Sequence, residues 1–184
     1  MARLLTSAEF EELYRANAAE LFGYVRRRTT SDAEDLVAEV FATAWRRRAD
    51  LPAPMLRRAW LYGAARRLLL AQARRQGREE ATVAELASRP EPPPADAGEA
   101  RRQAVRAALG RLSPAEREVL LLVEWERLTP AELAVALGVR AGTARVRLHR
   151  ARRALAADPA LRALHPDEGV ALAGGGESGV APLS

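Results

Sequence analysis

The residues able to do chemistry in this chain are few in kind. None of the 184 residues is cysteine and only two are histidine. A thiol nucleophile, a disulfide and Cys-ligated zinc are therefore excluded. His149 and His165 stand alone, with no cluster of ligands around either in the sequence, so no metal is expected. The carboxylates are dispersed, and Gly174–Gly176 has no strand before it and so is not a phosphate loop. No catalytic residue and no cofactor are expected: the chain reads as a non-enzyme. What it has in abundance is arginine, which supplies all 29 basic residues. A GC-rich coding bias accounts for the absence of lysine without functional meaning. The guanidinium fork nonetheless suits phosphate oxygens and guanine edges, because it is planar and bidentate. The net charge of +5 is modest, so the placement of the arginines decides what they can do.

Three stretches concentrate charge. In residues 142–155, GTARVRLHRARRAL, a helix turning about 100° per residue puts Ala144, Leu148, Ala151 and Leu155 in one narrow sector. The opposite side carries Val146, His149, Arg150 and Arg153, flanked by Arg145 and Arg152 on one edge and Arg147 on the other. Such a face fits a DNA groove. Arg145, Val146 and His149 are expected near base edges, and Arg147, Arg150, Arg152 and Arg153 on phosphates, with Thr143 a further DNA contact. In residues 55–77 the pairs Arg57-Arg58, Arg66-Arg67 and Arg74-Arg75 are interleaved with Trp60 and Tyr62. Arginines with aromatics on one element suit a phosphate backbone with stacked or unstacked bases. Trp60 is expected in the core; Tyr62 fits either role. In residues 32–48, Asp35, Glu39, Ala42 and Arg46 share the side opposite an apolar stripe. Periodicity alone favours an ordinary solvated face there over an acidic docking strip.

The elements that position these residues are legible as helices. Hydrophobic content is 48% with 5% aromatics, and the excess of Ala and Leu over β-branched residues favours an all-α fold. Capping boxes mark helix starts at Thr6/Glu9, Ser31/Glu34, Ser113/Glu116 and Thr129/Glu132, the last two with Pro at the first helical position. Helices are predicted over about 7–28, 32–48 and 55–77. The first carries Phe10, Leu13, Tyr14, Leu21 and Val25. The second buries Ala33, Leu36, Val37, Val40, Phe41, Ala44 and Trp45. A Pro-rich stretch follows, with a weak helix allowed near 82–87. Helical pattern resumes near Glu99 and runs to Ala157. Within it, segments 116–126, 130–137 and 142–155 are separated by short turns, and Gly138 sits where a residue with positive φ would end a helix. Helix, tight turn and helix make a helix-turn-helix, with Leu133, Ala134, Leu137 and Val139 inside it. The plan is a helical domain (1–78), a Pro-rich linker (79–100), a helix-turn-helix domain (101–157) and a disordered Gly-rich tail (158–184). No secretory signal and no apolar run of membrane-spanning length are present, so a cytoplasmic protein without membrane insertion is expected.

Taken together, the two halves resemble a bacterial sigma factor of the sigma-70 family, in the compact two-domain extracytoplasmic-function (ECF) group. Three stretches carry the resemblance, in order, over residues 10–155. ELYRANAAELFGYVRRRTTSDAEDLVAEVFATAWRRR is similar to the start of the family's first domain, and implies that Asp35, Glu39 and Arg46 dock on the β′ coiled coil of polymerase. RAWLYGAARRLLLAQARR is similar to the segment that opens and reads the −10 element, and implies roles there for Arg57, Arg58, Tyr62, Arg66, Arg67, Arg74 and Arg75. LSPAEREVLLLVEWERLTPAELAVALGVRAGTARVRLHRARRAL is similar to the −35-reading second domain. Where relatives usually carry Asn after Ala-Arg, this chain has Arg67, and the usual polar pair reads Ala71-Gln72. Arg67 favours backbone contact over readout of the flipped base.

The resemblance implies a factor that binds core RNA polymerase through the β′ coiled coil and the β flap, and is a monomer outside the holoenzyme. It places its domains on promoter DNA and stabilises the melted −10 region. An anti-sigma factor is a further partner that the resemblance allows. Two other readings stay open at this point. One is a conventional helix-turn-helix regulator with an N-terminal sensing domain, a ligand pocket and palindromic DNA. The other is a helical adaptor that binds protein only.

Overall fold

The computed structural model describes residues 5–29, 32–75 and 97–164, and among them every regular element is helical. The first group comprises α1 (Ser7–Arg26), α2 (Ala33–Arg46) and α3 (Pro54–Arg75). The second comprises α4 (Ala97–Arg111), α5 (Pro114–Leu120), a π-helical turn (Leu121–Trp125), α6 (Pro130–Leu137), α7 (Ala141–Ala156) and α8 (Pro159–Leu164).

Local chemistry sets the boundaries. Thr6, Ser113 and Thr129 each accept from the backbone N–H three residues on, while Glu9, Glu116 and Glu132 accept in return from the cap backbone. Each reciprocal pair satisfies two donors that the helix leaves free. The expected box at Ser31/Glu34 is replaced. Asp32 is the cap of α2, its carboxylate accepting from the N–H groups of Glu34 at 2.8 Å and Asp35 at 3.3 Å. An ionised acceptor at the positive end of a helix gains from both the hydrogen bond and the dipole. Ser31 lies outside the described residues, as do the Pro-rich stretch through 96, the weak helix near 82–87, His165 and Gly174–Gly176.

Two helical boundaries differ from expectation. The helix predicted over 116–126 changes to π-helical winding after Leu120, and Arg127 follows at φ +56. Residues 159–164, expected within an unstructured tail, form α8. Asp158 caps it, accepting from Ala160 N–H at 3.0 Å and Leu161 N–H at 3.4 Å, and pairs with Arg111 of α4 through two bonds of 2.6 and 2.7 Å. A bidentate Arg–carboxylate pair ties this last helix back to the first helix of its group.

The apolar faces meet in one continuous cluster. Leu21, Tyr24, Val25, Val37, Val40 and Phe41 of the first group, with Leu61, Tyr62 and Leu69, are contiguous with Leu120, Leu122, Leu133, Ala136 and Leu148 of the second. Trp45, expected in the core, is 36% exposed; its ring packs edge-on against Phe10 at 5.1 Å with Arg48 over its face at 4.6 Å. An indole at the rim keeps its N–H wet while its body covers apolar surface. Tyr14 likewise lies half-exposed, against Phe41 at 4.7 Å.

Candidate nucleic-acid interface

The helix-turn-helix is built from the turn outward. Gly138 adopts φ +65, ψ 37, and its N–H donates to the carbonyls of Ala134 and Val135, closing α6. A side chain there would meet no neighbouring atom within 4 Å. Glycine is therefore required by backbone conformation, not by space. Val139 N–H returns to the Ala134 carbonyl at 3.0 Å, so the chain reverses before α7 begins. Ala144, Leu148 and Ala151 of α7 are buried against Leu133, Ala134 and Ala136 of α6 and the end of α5, and Leu155 is partly buried.

Burying that stripe presents the opposite face. Thr143, Arg145, Val146, Arg147, His149, Arg150, Arg152 and Arg153 are all exposed, Val146 at 50%. Among them Arg152 has a partner on the protein surface, donating to Glu124 of the π-helical turn at 2.8 Å. Solvent screening makes that pair weak, so it holds the guanidinium beside the face without withdrawing it. The arrangement presents cations, one small apolar side chain and one imidazole on a single exposed helix. That composition can follow a groove, with fork donors reaching phosphates and base edges.

The residues expected at the −10 element are not all brought together. Arg67, Arg74 and Arg75 are exposed along α3, and Arg57 and Arg66 are partly exposed. Arg67 lies over the Trp60 ring at 6.0 Å, and burial together with Arg47 and Arg66 nearby lowers its pKa from the ordinary value. Arg58 and Tyr62 face inward. Tyr62 is 2% exposed: its ring packs edge-on against Tyr24 at 5.1 Å and its hydroxyl donates to Glu126 at 3.3 Å. Arg58 donates to the Glu126 carbonyl at 2.7 Å and to the Glu20 carboxylate at 2.9 Å. In this structure Tyr62 is thus a buried side chain between the two helical groups, not an exposed stacking platform. Burial pushes its hydroxyl well above the usual tyrosine range, so it stays a donor.

On α2, Asp35 and Glu39 are exposed one turn apart, and Arg46 is exposed with a bond to Thr43 Oγ1 at 2.9 Å. The burial of Ala33, Val37, Val40, Phe41 and Ala44 on the other side fixes this acidic strip toward solvent.

Residues that sequence reasoning missed form the contact between the groups. Tyr24 Oη donates to Glu118 at 2.7 Å, and Arg28 Nε donates to the same carboxylate at 3.2 Å. Burial and the Glu118 charge raise the pKa of Tyr24 well above its usual value. Arg27 donates to Glu126 at 2.6 Å. Glu118 and Glu126 sit in a mostly apolar stretch, and Gly63 sits mid-helix with no capping role. Both were signals of a buried polar partner and of a close backbone approach.

The comparisons agree with this geometry. Residues 13–79 match the family model described as Sigma-70 region 2, and residues 102–155 match the one described as Sigma-70, region 4. The chain is 33% identical over 147 residues to the RNA polymerase sigma-E factor of Streptomyces coelicolor, covering 78% of this chain and 81% of that one. It is 33% identical over 169 residues to the ECF RNA polymerase sigma factor SigL of Mycobacterium tuberculosis, covering 84% and 94%. Among solved structures, the sigma factor RpoE in complex with the anti-sigma factor NepR from Bartonella quintana superposes with a TM-score of 0.56 at 25% identity, over 80% of this chain and 94% of that one. The chain belongs to the sigma-70 family of RNA polymerase sigma factors, in the ECF group. It is a promoter-directing transcription factor, and these matches do not favour a conventional regulator with a sensing domain. No helix among the described residues is long and apolar enough to cross a membrane.

Proposed function

We propose that this chain delivers core RNA polymerase to promoters through two separate grips and one docking strip, with no chemistry of its own. The first grip is the outer face of α7. Arg145, Val146 and His149, with Thr143, meet base edges of the −35 duplex, while Arg147, Arg150, Arg152 and Arg153 hold its phosphates. The second grip is α3, whose Arg57, Arg58, Arg66, Arg67, Arg74 and Arg75, with Tyr62 once uncovered, hold the −10 strand as it melts. Asp35 and Glu39, with Arg46 at the end of α2, form the acidic strip for the β′ coiled coil, and the second domain meets the β flap. The first domain spans about 1–78, and the second, expected over 101–157, starts earlier with α4 at Ala97 and extends to include α8, which shortens the linker expected over 79–100.

One observation carries the reading: α7 buries Ala144, Leu148 and Ala151 on one side and leaves the opposite side an exposed cationic face, on which Arg152 pairs with Glu124. An adaptor that binds only protein gains nothing from that face. The factor acts in the cytoplasm, where polymerase is, and is a monomer until it joins the enzyme. An anti-sigma factor is a fitting regulator, since the solved relative is held by one. The test is co-purification with core RNA polymerase followed by transcription from a panel of promoters. Association and promoter-dependent initiation are expected; their joint absence overturns the reading.

A further inference from the structure

One carboxylate reaches the cationic face of α7 from outside the helix. Glu124 belongs to the π-helical turn Leu121–Trp125, and Leu120 and Leu122 just before it are buried in the same cluster as Leu148 and Ala151 of α7. The turn is therefore anchored against the inner side of α7, while Glu124 itself stays exposed. Single π-helical turns of this kind are frequent where function needs a side chain re-aimed. The Glu124 carboxylate meets Arg152, 28 positions on: Nε and Nη2 of the guanidinium both donate to Oε1, at 3.2 and 2.8 Å. Arg145, Arg147, Arg150 and Arg153 have no carboxylate partner among the described residues. One cation of the face is thus treated differently from its neighbours.

The pair separates what Arg152 does at a distance from what it does in contact. A guanidinium has its N–H donors in a fixed fork. One donor on Nε and one on Nη2 go to Oε1, so both hydrogens of Nη1 are left to meet a phosphate. The charge, in contrast, is cancelled. Fields in physiological salt fade over about 8 Å, and that of a neutral pair falls off faster than that of a bare cation. A duplex held loosely, with water between, therefore feels Arg145, Arg147, Arg150 and Arg153 and little of Arg152. A duplex seated in register brings a phosphate within bonding reach, where Arg152 bridges it to Glu124 through a charge-assisted bond. Arg152 stands seven residues beyond Arg145 on the same edge of α7, about 10 Å along the axis. It meets that phosphate when Arg145 is at its base.

We propose that Glu124 is a specificity-determining residue of the −35 grip, acting through Arg152. Its charge reduces the sequence-blind attraction of α7 for any duplex. Its two hydrogen bonds hold the Arg152 fork oriented, which helps only a duplex seated in register. Glu124 is a positioning residue and makes no DNA contact of its own. This inference rests on reading α7 as the −35 grip.

The test uses the full chain and two fluorescein-labelled duplexes of equal length. One carries the −35 element of the strongest promoter in the transcription panel, and the other a scrambled sequence. Anisotropy titrations at several salt concentrations compare the wild type with Glu124→Gln and with the double variant Glu124→Gln/Arg152→Ala. Glu124→Gln frees the Arg152 charge and loosens its fork. On the scrambled duplex its affinity is expected to rise about threefold and its slope of log affinity against log salt to steepen by about 0.9, the value of one more phosphate neutralised. On the promoter duplex the lost orientation offsets the freed charge, and the gain is expected to stay under about twofold, so the preference falls. The double variant removes the pair at constant net charge. It should hold the scrambled duplex within about twofold of the wild type and the promoter duplex about threefold more weakly. Equal gains of Glu124→Gln on both duplexes, no gain on the scrambled one, or equal losses of the double variant on both would each overturn the proposal. If circular dichroism shows Glu124→Gln to have lost helix, Arg152→Gln, compared on the same two duplexes, must lose more on the promoter duplex than on the scrambled one. Arg150→Ala, whose guanidinium is outside the pair, tests the underlying reading: unchanged binding of both duplexes would sink α7 as the −35 grip, whatever Glu124 does.

Discussion

Arg145 and Arg150 share the exposed face of α7 five positions apart, yet they do different work in the proposed complex. Arg145 lies toward the N-terminal end of α7, where a recognition helix meets base edges, and Arg150 lies further along, where the face meets phosphates. Replacing Arg145 by Ala is expected to cost ~1–3 kcal/mol on the preferred −35 duplex and to relax sequence preference at one position. Replacing Arg150 by Ala should weaken all duplexes alike and lower the slope of log affinity against log salt by about 1. Titrations of both variants at several salt concentrations, on the preferred site and on a scrambled one, check this. Equal, sequence-blind losses would show that the base-facing edge of α7 has been assigned wrongly. The facing of α7 was readable because its apolar positions recur with helical spacing. The facing of Tyr62 was not, because an aromatic among arginines fits a stacking platform and a buried wedge equally well.

At the scale of the element, two glycines close together in sequence have opposite roles. Gly138 and Gly142 both have free space where a Cβ would stand, but only Gly138 has a positive φ. Its replacement by Ala should destabilise the second domain by about 1–2 kcal/mol through backbone conformation alone. Gly142→Ala, inside α7 with ordinary helical dihedrals, should be neutral or stabilising by up to about 1 kcal/mol. Urea denaturation of the two variants separates them, and a like sign for both would refute the account of the turn. The tie between α4 and α8 sets a pH dependence. The hydrogen bonds from Arg111, foremost, and from the α8 backbone hold the Asp158 carboxyl below its ordinary value of 3.8. A depressed carboxylate stabilises the fold above its unfolded pKa, and that contribution fades as the pH falls below about 4 toward the folded value. Thermal melts at pH 7 and pH 3 should therefore show a smaller loss on acidification for Asp158→Asn than for the wild type. A loss equal to that of the wild type would mean that Asp158 is not linked to folding.

For the molecule as a whole, the apolar cluster runs without a break from α1 through α3 into α6 and α7. Buried charges cross the same contact, and a pair of that kind is costly to break from one side only. The two helical groups are thus expected to unfold together. Calorimetry of the wild-type chain should give one transition whose van't Hoff and calorimetric enthalpies agree, and Gly63→Leu, whose Cβ would come within 2.9 Å of the Ala136 carbonyl oxygen of α6, should separate it into two. Two transitions in the wild type would show that the contact does not couple the groups.

Helical content, the capped starts at Thr6, Ser113 and Thr129, the turn at Gly138 and the cationic face of α7 were all settled by sequence. Each depends on residues within one or two helical turns of each other, and the periodicity of side chains and the needs of free backbone N–H groups act at that range. The family, too, was legible, because its motifs are local. The winding after Leu120, the docking of α8 through Asp158 and the burial of Tyr62 were decided only by tertiary structure. Arg111 and Asp158 are 47 positions apart, Tyr62 and Glu126 are 64, and Tyr24 and Glu118 are 94. No spacing rule links such residues. The cationic face announced in the sequence is one half of the proposed machine, and only the fold decides whether its other half is bare or covered.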